Sequence, residues 1–265
     1  MNKRVNLLIL AAFFIIAAMI GPIEQYAHYH DFADQKTWLS VPYGKDVWSN
    51  LGFLWIGFWG MWQLKRHRIN VLSAYVSMAA MMLTAFGSAY YHVNPNDWTL
   101  IWDRLPISLV CAGLISSTIT HLKPTTKTMW LDTALIAVAI LGVAVWHVNG
   151  DLRWYLGLQL WCVLVLPYWL MASGTAKPIQ WAMLAAIFWY VLAKITESTD
   201  VWIWQHTQQL ISGHTLKHLL ASVALYEMAK AIVLMHLPNQ LNANADRLTN
   251  QQSDWLVCSD QCDRR

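Results

Sequence analysis

The chemistry-bearing residues of this chain are His92, His214 and His218, with Ser88 and Asp103 beside them in the argument. His214-Thr-Leu-Lys-His218 places two imidazoles at i and i+4, on one face of a helix with Cβ atoms about 5–6 Å apart. Nitrogens so placed reach a shared zinc at about 2.0–2.1 Å. Ser88 and His92 repeat the i, i+4 relation elsewhere. Three His ligands with one open position are the composition of a hydrolytic zinc site. No Glu follows the first His of the pair, so this is not the zincin motif, and Asp103 is the candidate base.

These residues must be positioned by membrane helices. Of 265 residues, 57% are hydrophobic and 12% charged, with mean hydropathy +0.34. Soluble domains carry about a quarter charged residues. Apolar stretches at roughly 5–23, 47–64, 71–92, 100–121, 129–148, 153–171, 179–198 and 210–236 are separated by short polar punctuation. Several are long enough to cross about 30 Å of hydrocarbon. The expected fold is all-α, a polytopic membrane bundle with a seven-helix core and an additional N-terminal hydrophobic helix. Its parts are an anchor or signal peptide over 1–23, an extracytoplasmic loop over 24–45, the core over 46–236 and a polar cytoplasmic tail over 237–265. Many of the seventeen Trp stand at the ends of apolar runs, as in an interfacial belt.

Alternating the spans gives one face Lys3, Arg4, Lys65, Arg66, Arg68, Lys123, Lys127, Lys177, Arg247, Arg264 and Arg265. The other face receives Lys36, Lys45, Arg104 and Arg153. The positive-inside rule makes the first face cytoplasmic, with both termini inside. Asp46, Ser49, Asn50, Ser88, His92, Asp103, His214 and His218 then share the opposite, extracytoplasmic layer. Ionisable groups at that depth are costly and mark function.

Other polar residues have plainer roles. His28, His30, His147 and His206 read as interfacial, and His67, His121 and His236 as solvated on the cytoplasmic side. Glu227 and Lys230 are spaced to pair, as are Lys194, Glu197 and Asp200, with Glu197 or Asp200 a possible orienter of a ligand His. Cys111 and Cys162 read as buried apolar side chains, and Cys258 and Cys262 are a single C-x3-C pair in the tail. A net charge of +3, dispersed along the chain, argues against a nucleic-acid partner.

At Asp46-Val-Trp-Ser49-Asn50, Phe86-Gly-Ser88-Ala-Tyr-Tyr-His92, Trp102-Asp103-Arg104-Leu-Pro and Ser212-Gly-His214-Thr-Leu-Lys-His218 the chain resembles the CREST superfamily of membrane hydrolases and receptors, nearest to the alkaline ceramidases and their bacterial relatives. The resemblance covers about residues 28–236. It implies that His92, His214 and His218 hold zinc, that Asp103 works on the attacking water, and that Ser88 assists the carbonyl oxygen. Ceramidases also bind calcium near the start of the first core helix. One acidic ligand of that ion falls at Tyr43 here, and Asp31 and Asp34 supply carboxylates nearby, so calcium is left unassigned.

The expected activity is zinc-dependent hydrolysis of a lipid amide drawn from the bilayer, ceramide-like, in a bacterial inner membrane. The rival expectations are an ester or phospholipid acyl hydrolase, and a membrane receptor whose zinc is structural and has four protein ligands. Substrate identity and oligomeric state are left open.

Overall fold

A computed structural model describes residues 3–124 and 128–237. Lys127, the polar tail and the Cys258/Cys262 pair lie outside the described residues. The protein is an all-α polytopic helix bundle. Its helices are α1 (Lys3–Ile20), α2 (Gly44–Ser49), α3 (Leu51–Arg66), α4 (Leu72–Val93), α5 (Asp97–Leu122), α6 (Thr128–Asn149), α7 (Arg153–Ala172), α8 (Lys177–Ser198), α9 (Asp200–His206) and α10 (Gly213–His236).

Six of these, α4 to α8 and α10, are long and apolar enough to cross a membrane. Helix α3 has only 16 residues, but α2 runs into it through Asn50, whose backbone is helical. Together they exceed the roughly 20 residues a span requires. Large apolar side chains such as Trp55, Phe86, Leu141 and Phe188 point outward, which suits a lipid solvent and would be costly in water.

Helix α5 is the centre of the bundle, 61% buried over its apolar window against 22% for α6. It packs against α4 on one side and α6 on the other, while α10 packs on α8 and α3. Lipid is as apolar as Leu, so close packing rather than hydrophobic exclusion holds such helices together. The α4–α5 seam accordingly carries Ala74, Ser77, Ala112 and Gly113, all buried. Helix α1 is peripheral, with Phe13 edge-on to Trp161 of α7 at 5.7 Å. Arg153 Nη1 donates to the Ala17 carbonyl at 2.7 Å, and Asp151 accepts the Ile23 N–H at 3.3 Å. The hydrogen bonds from Arg153 hold the Asp151 carboxyl below its usual range.

Two helix starts bear on the site. Asn96 caps α5 in a reciprocal box, its side chain accepting the Thr99 N–H at 3.0 Å while Thr99 Oγ1 accepts the Asn96 N–H at 3.2 Å. Ser212 caps α10 by accepting the Thr215 N–H at 2.9 Å. Helix α7 contains a π turn, Trp161–Val165, ahead of Pro167, and this stretch borders the central cavity.

Two expectations are corrected. Arg104, counted with the cations of the extracytoplasmic face, is buried within α5 among aromatic rings. His121 and His236 are half-buried rather than solvated. The α5 and α10 ends close on each other there, and His121 Nδ1 donates to the Met235 carbonyl at 2.8 Å.

Candidate metal centre

The last turn of α4 and the first two turns of α10 meet at one end of the bundle. His92, His214 and His218 are brought together there, with relative exposures of 1%, 5% and 1%. Their ring centroids are 4.8–4.9 Å apart. One candidate ligand atom from each ring lies within 4.8 Å of the others. These three histidines can hold a metal ion, and they are the one such group among the described residues.

The hydrogen bonds identify which nitrogens of His214 and His218 carry a lone pair. His218 Nδ1 lies 3.0 Å from the Asp46 carbonyl oxygen, which can only accept. The hydrogen is therefore on Nδ1, and Nε2 carries the lone pair. That Nε2 is buried with no partner. Lys217 Nζ, a donor only, lies 3.0 Å from His214 Nε2, so this nitrogen also presents a lone pair. His92 Nε2 is 3.3 Å from His214 Nε2. Tetrahedral ligands about 2.0–2.1 Å from zinc are separated by about 3.3–3.4 Å. One of the three pairs therefore has the separation of neighbouring ligands on a shared metal ion.

The surrounding residues orient these rings. Ser49 Oγ lies 2.8 Å from His218 Nδ1, adding to the Asp46 carbonyl contact. The Asp46 carboxylate is buried and accepts from the hydroxyls of Thr215 at 2.5 Å and Ser212 at 3.3 Å, which ties α2 to the start of α10. Phe32, from the segment before α2, packs on His92 and His214 with centroid distances of 4.8 and 4.4 Å. That segment is anchored by His30, which contacts the Tyr91 hydroxyl and Asp97.

Ser88 and Asp103 are buried too, and both line one cavity. Their proximity has a backbone cause. Pro106 has no N–H to give the Trp102 carbonyl four residues back. That carbonyl lies against Gly87 of α4, where an added Cβ would meet it at 1.9 Å. Only a residue without a side chain permits α4 and α5 to approach this closely, one position from both Ser88 and Asp103.

A cavity of about 170 Å³ opens beside the site. Ser88, Asp103, Lys217 and His218 form its polar end, and Val110, Leu114, Met183, Ile187, Leu225 and Met228 line the rest. From His218 to Met228 along α10 is about 15 Å at 1.5 Å per residue.

The expected orienters act differently from the sequence reading. Asp200 accepts the His214 backbone N–H at 2.8 Å and the Ala33 N–H at 2.9 Å, without touching an imidazole. Glu197 holds Lys217 at 2.9 Å and also pairs with Lys194. Asp46 and Ser49 orient His218 instead. Helical spacing does not report this contact, because it crosses from α2 to α10. Lys217 was missed for a similar reason; its place at i+3 from His214 on the same helix face was the available signal. Glu227 and Lys230 do pair, at 3.2 Å. Among the carboxylates weighed for calcium, which was left unassigned, Asp31 contacts His28 and Asp34 lies 3.6 Å from the Lys45 ammonium.

No family model and no curated protein matches this chain.

Proposed function

We propose that the protein is a zinc-dependent hydrolase of a lipid amide, ceramide-like in its linkage and similar to the alkaline ceramidases of the CREST superfamily. The observation that carries this reading is a largely apolar cavity lined at its polar end by Ser88, Asp103 and His218, whose Nε2 has no hydrogen-bond partner. Such a cavity suits an acyl chain, with the carbonyl held at the polar end.

His92, His214 and His218 hold the metal, His218 through Nε2. When bound, zinc supplies a Lewis acid that polarises the carbonyl and acidifies water. Asp103 accepts a proton from the attacking water and returns it to the leaving amine, releasing a fatty acid. Ser88 donates a hydrogen bond to the oxyanion that develops on the acyl carbonyl. Glu197 keeps Lys217 paired when the His214 lone pair is given to a metal. Access from the bilayer lets the substrate keep its chains in lipid. In this reading the site lies toward the extracytoplasmic face of a bacterial inner membrane and both termini are cytoplasmic.

The test is metal analysis of the purified full-length protein beside His214→Ala, coupled to a panel of matched N-acyl and O-acyl lipids. One equivalent of zinc, lost in the variant, with fatty acid released from the N-acyl lipids, is expected. Release only from O-acyl lipids would move the assignment to an esterase. A fourth protein ligand on the metal would instead make the zinc structural.

A further inference from the structure

Arg104 is a buried cation without an acid. Its relative exposure is 3%, and Nε and Nη1 are buried with no hydrogen-bond partner. Its guanidinium carbon lies 3.9 Å from the ring centre of Trp146 and 5.2 Å from those of Tyr29 and Tyr155. Among the described residues no carboxylate forms a salt bridge with it. The other buried or half-buried Lys and Arg among the described residues behave differently: Lys217 has Glu197, Arg153 has Asp151, Lys45 has Asp34 and Lys230 has Glu227.

Aromatic stacking satisfies the faces of a guanidinium and leaves its N–H edge unpaired. An uncompensated charge is expensive in a bundle core and more so in a membrane. The planar edge matches a carboxylate or a phosphate, which accept two parallel hydrogen bonds. Location then narrows the source. Asp103 is the neighbouring residue on α5, and two of the three rings, Tyr29 and Tyr155, line the cavity that ends on Ser88 and His218, whereas Arg104 itself does not. An acidic group entering the cage from that cavity, past Tyr29 and Tyr155, would stay close to the proposed reacting carbonyl.

We infer that Arg104, framed by Tyr29, Trp146 and Tyr155, binds an anionic group, carboxylate or phosphate, carried by the lipid substrate close to its scissile bond. This rests on the hydrolase reading and sharpens it. The substrate class becomes an acidic N-acyl lipid, such as an N-acyl amino acid, rather than an amide of a neutral amino alcohol.

Binding to the metal-free full-length protein in neutral detergent separates the two ideas, because no turnover is needed. N-palmitoylglycine and the neutral N-palmitoylethanolamine serve as probes, read through tryptophan fluorescence. The anionic probe is expected to bind about 10- to 100-fold more tightly. Arg104→Met should abolish that preference. Arg104→Lys, which keeps the charge and loses the planar fork, should reduce it. Equal binding of both probes by the wild type, or an unchanged preference in the folded variants, overturns the inference. Inorganic phosphate displacing N-palmitoylglycine at equal concentration would assign the cage to a free anion and overturn the lipid-borne one. If the zinc-loaded protein cleaves neither probe while the binding preference persists, the hydrolase reading falls and the anion site stands. Cleavage of both probes with equal binding has the opposite meaning.

Discussion

Two clusters of buried polar side chains lie at opposite ends of α4 and α5, and their hydrogen bonds are completed differently. At one end Ser77 donates to the Ser73 carbonyl at 3.0 Å, Ser117 donates to Ser73 Oγ at 3.0 Å, and Ser116 donates to Asp132. Asp132 keeps one oxygen unpartnered, but no space for a water-sized sphere adjoins it. At the other end His92 and His218 each keep a nitrogen unpartnered, Arg104 keeps two, and a cavity reaches His218. Burial of polar groups in a membrane is common to both. Unsatisfied groups beside open space distinguish the candidate site from a polar seam that holds helices together.

The largest effect that tests this contrast belongs to Asp103→Asn. The variant should keep its metal while turnover falls by about 10²–10⁴, measured by fatty acid release beside metal content. Full activity would remove Asp103 from the mechanism. Ser49→Ala acts one step further out. Losing the hydroxyl beside His218 Nδ1 should weaken metal affinity by about 10- to 100-fold in a chelator competition. Unchanged affinity would leave the Asp46 carbonyl as the sole orienter. The smallest functional effect is expected at the opposite end. An alanine Cβ at Gly113 would meet Ser77 Oγ at 2.3 Å and the Ser73 carbonyl at 2.8 Å. Gly113→Ala should therefore cost about 1–3 kcal/mol of stability. It should lower Tm while metal content and activity per folded molecule persist. Loss of metal in that variant would show that the two ends are coupled.

Much of this contrast was legible before any coordinates. The apolar runs of 71–92, 100–121, 129–148 and 179–198 correspond to α4, α5, α6 and α8 within a few residues, since the hydrocarbon thickness dictates a long unbroken apolar run. Span parity brought His92, Asp103 and His214 to one end. The short α9 fell unassigned between the runs of 179–198 and 210–236, because about two turns of helix have too little periodicity to read. Arg104 was counted with the cations of one membrane face because charge suggests solvent, while its stabilisation by Trp146, Tyr29 and Tyr155 comes from three different segments.

Sequence alone determined the helical class, the span pattern and the spacing of His214 from His218, because each depends on residues within a few turns of one another. Tertiary structure decided which imidazole nitrogens are free, that Lys217 and Glu197 stand beside them, and that a guanidinium lies caged without an anion. Those properties come from contacts between helices far apart in the chain, and local periodicity carries no record of which side chains will meet.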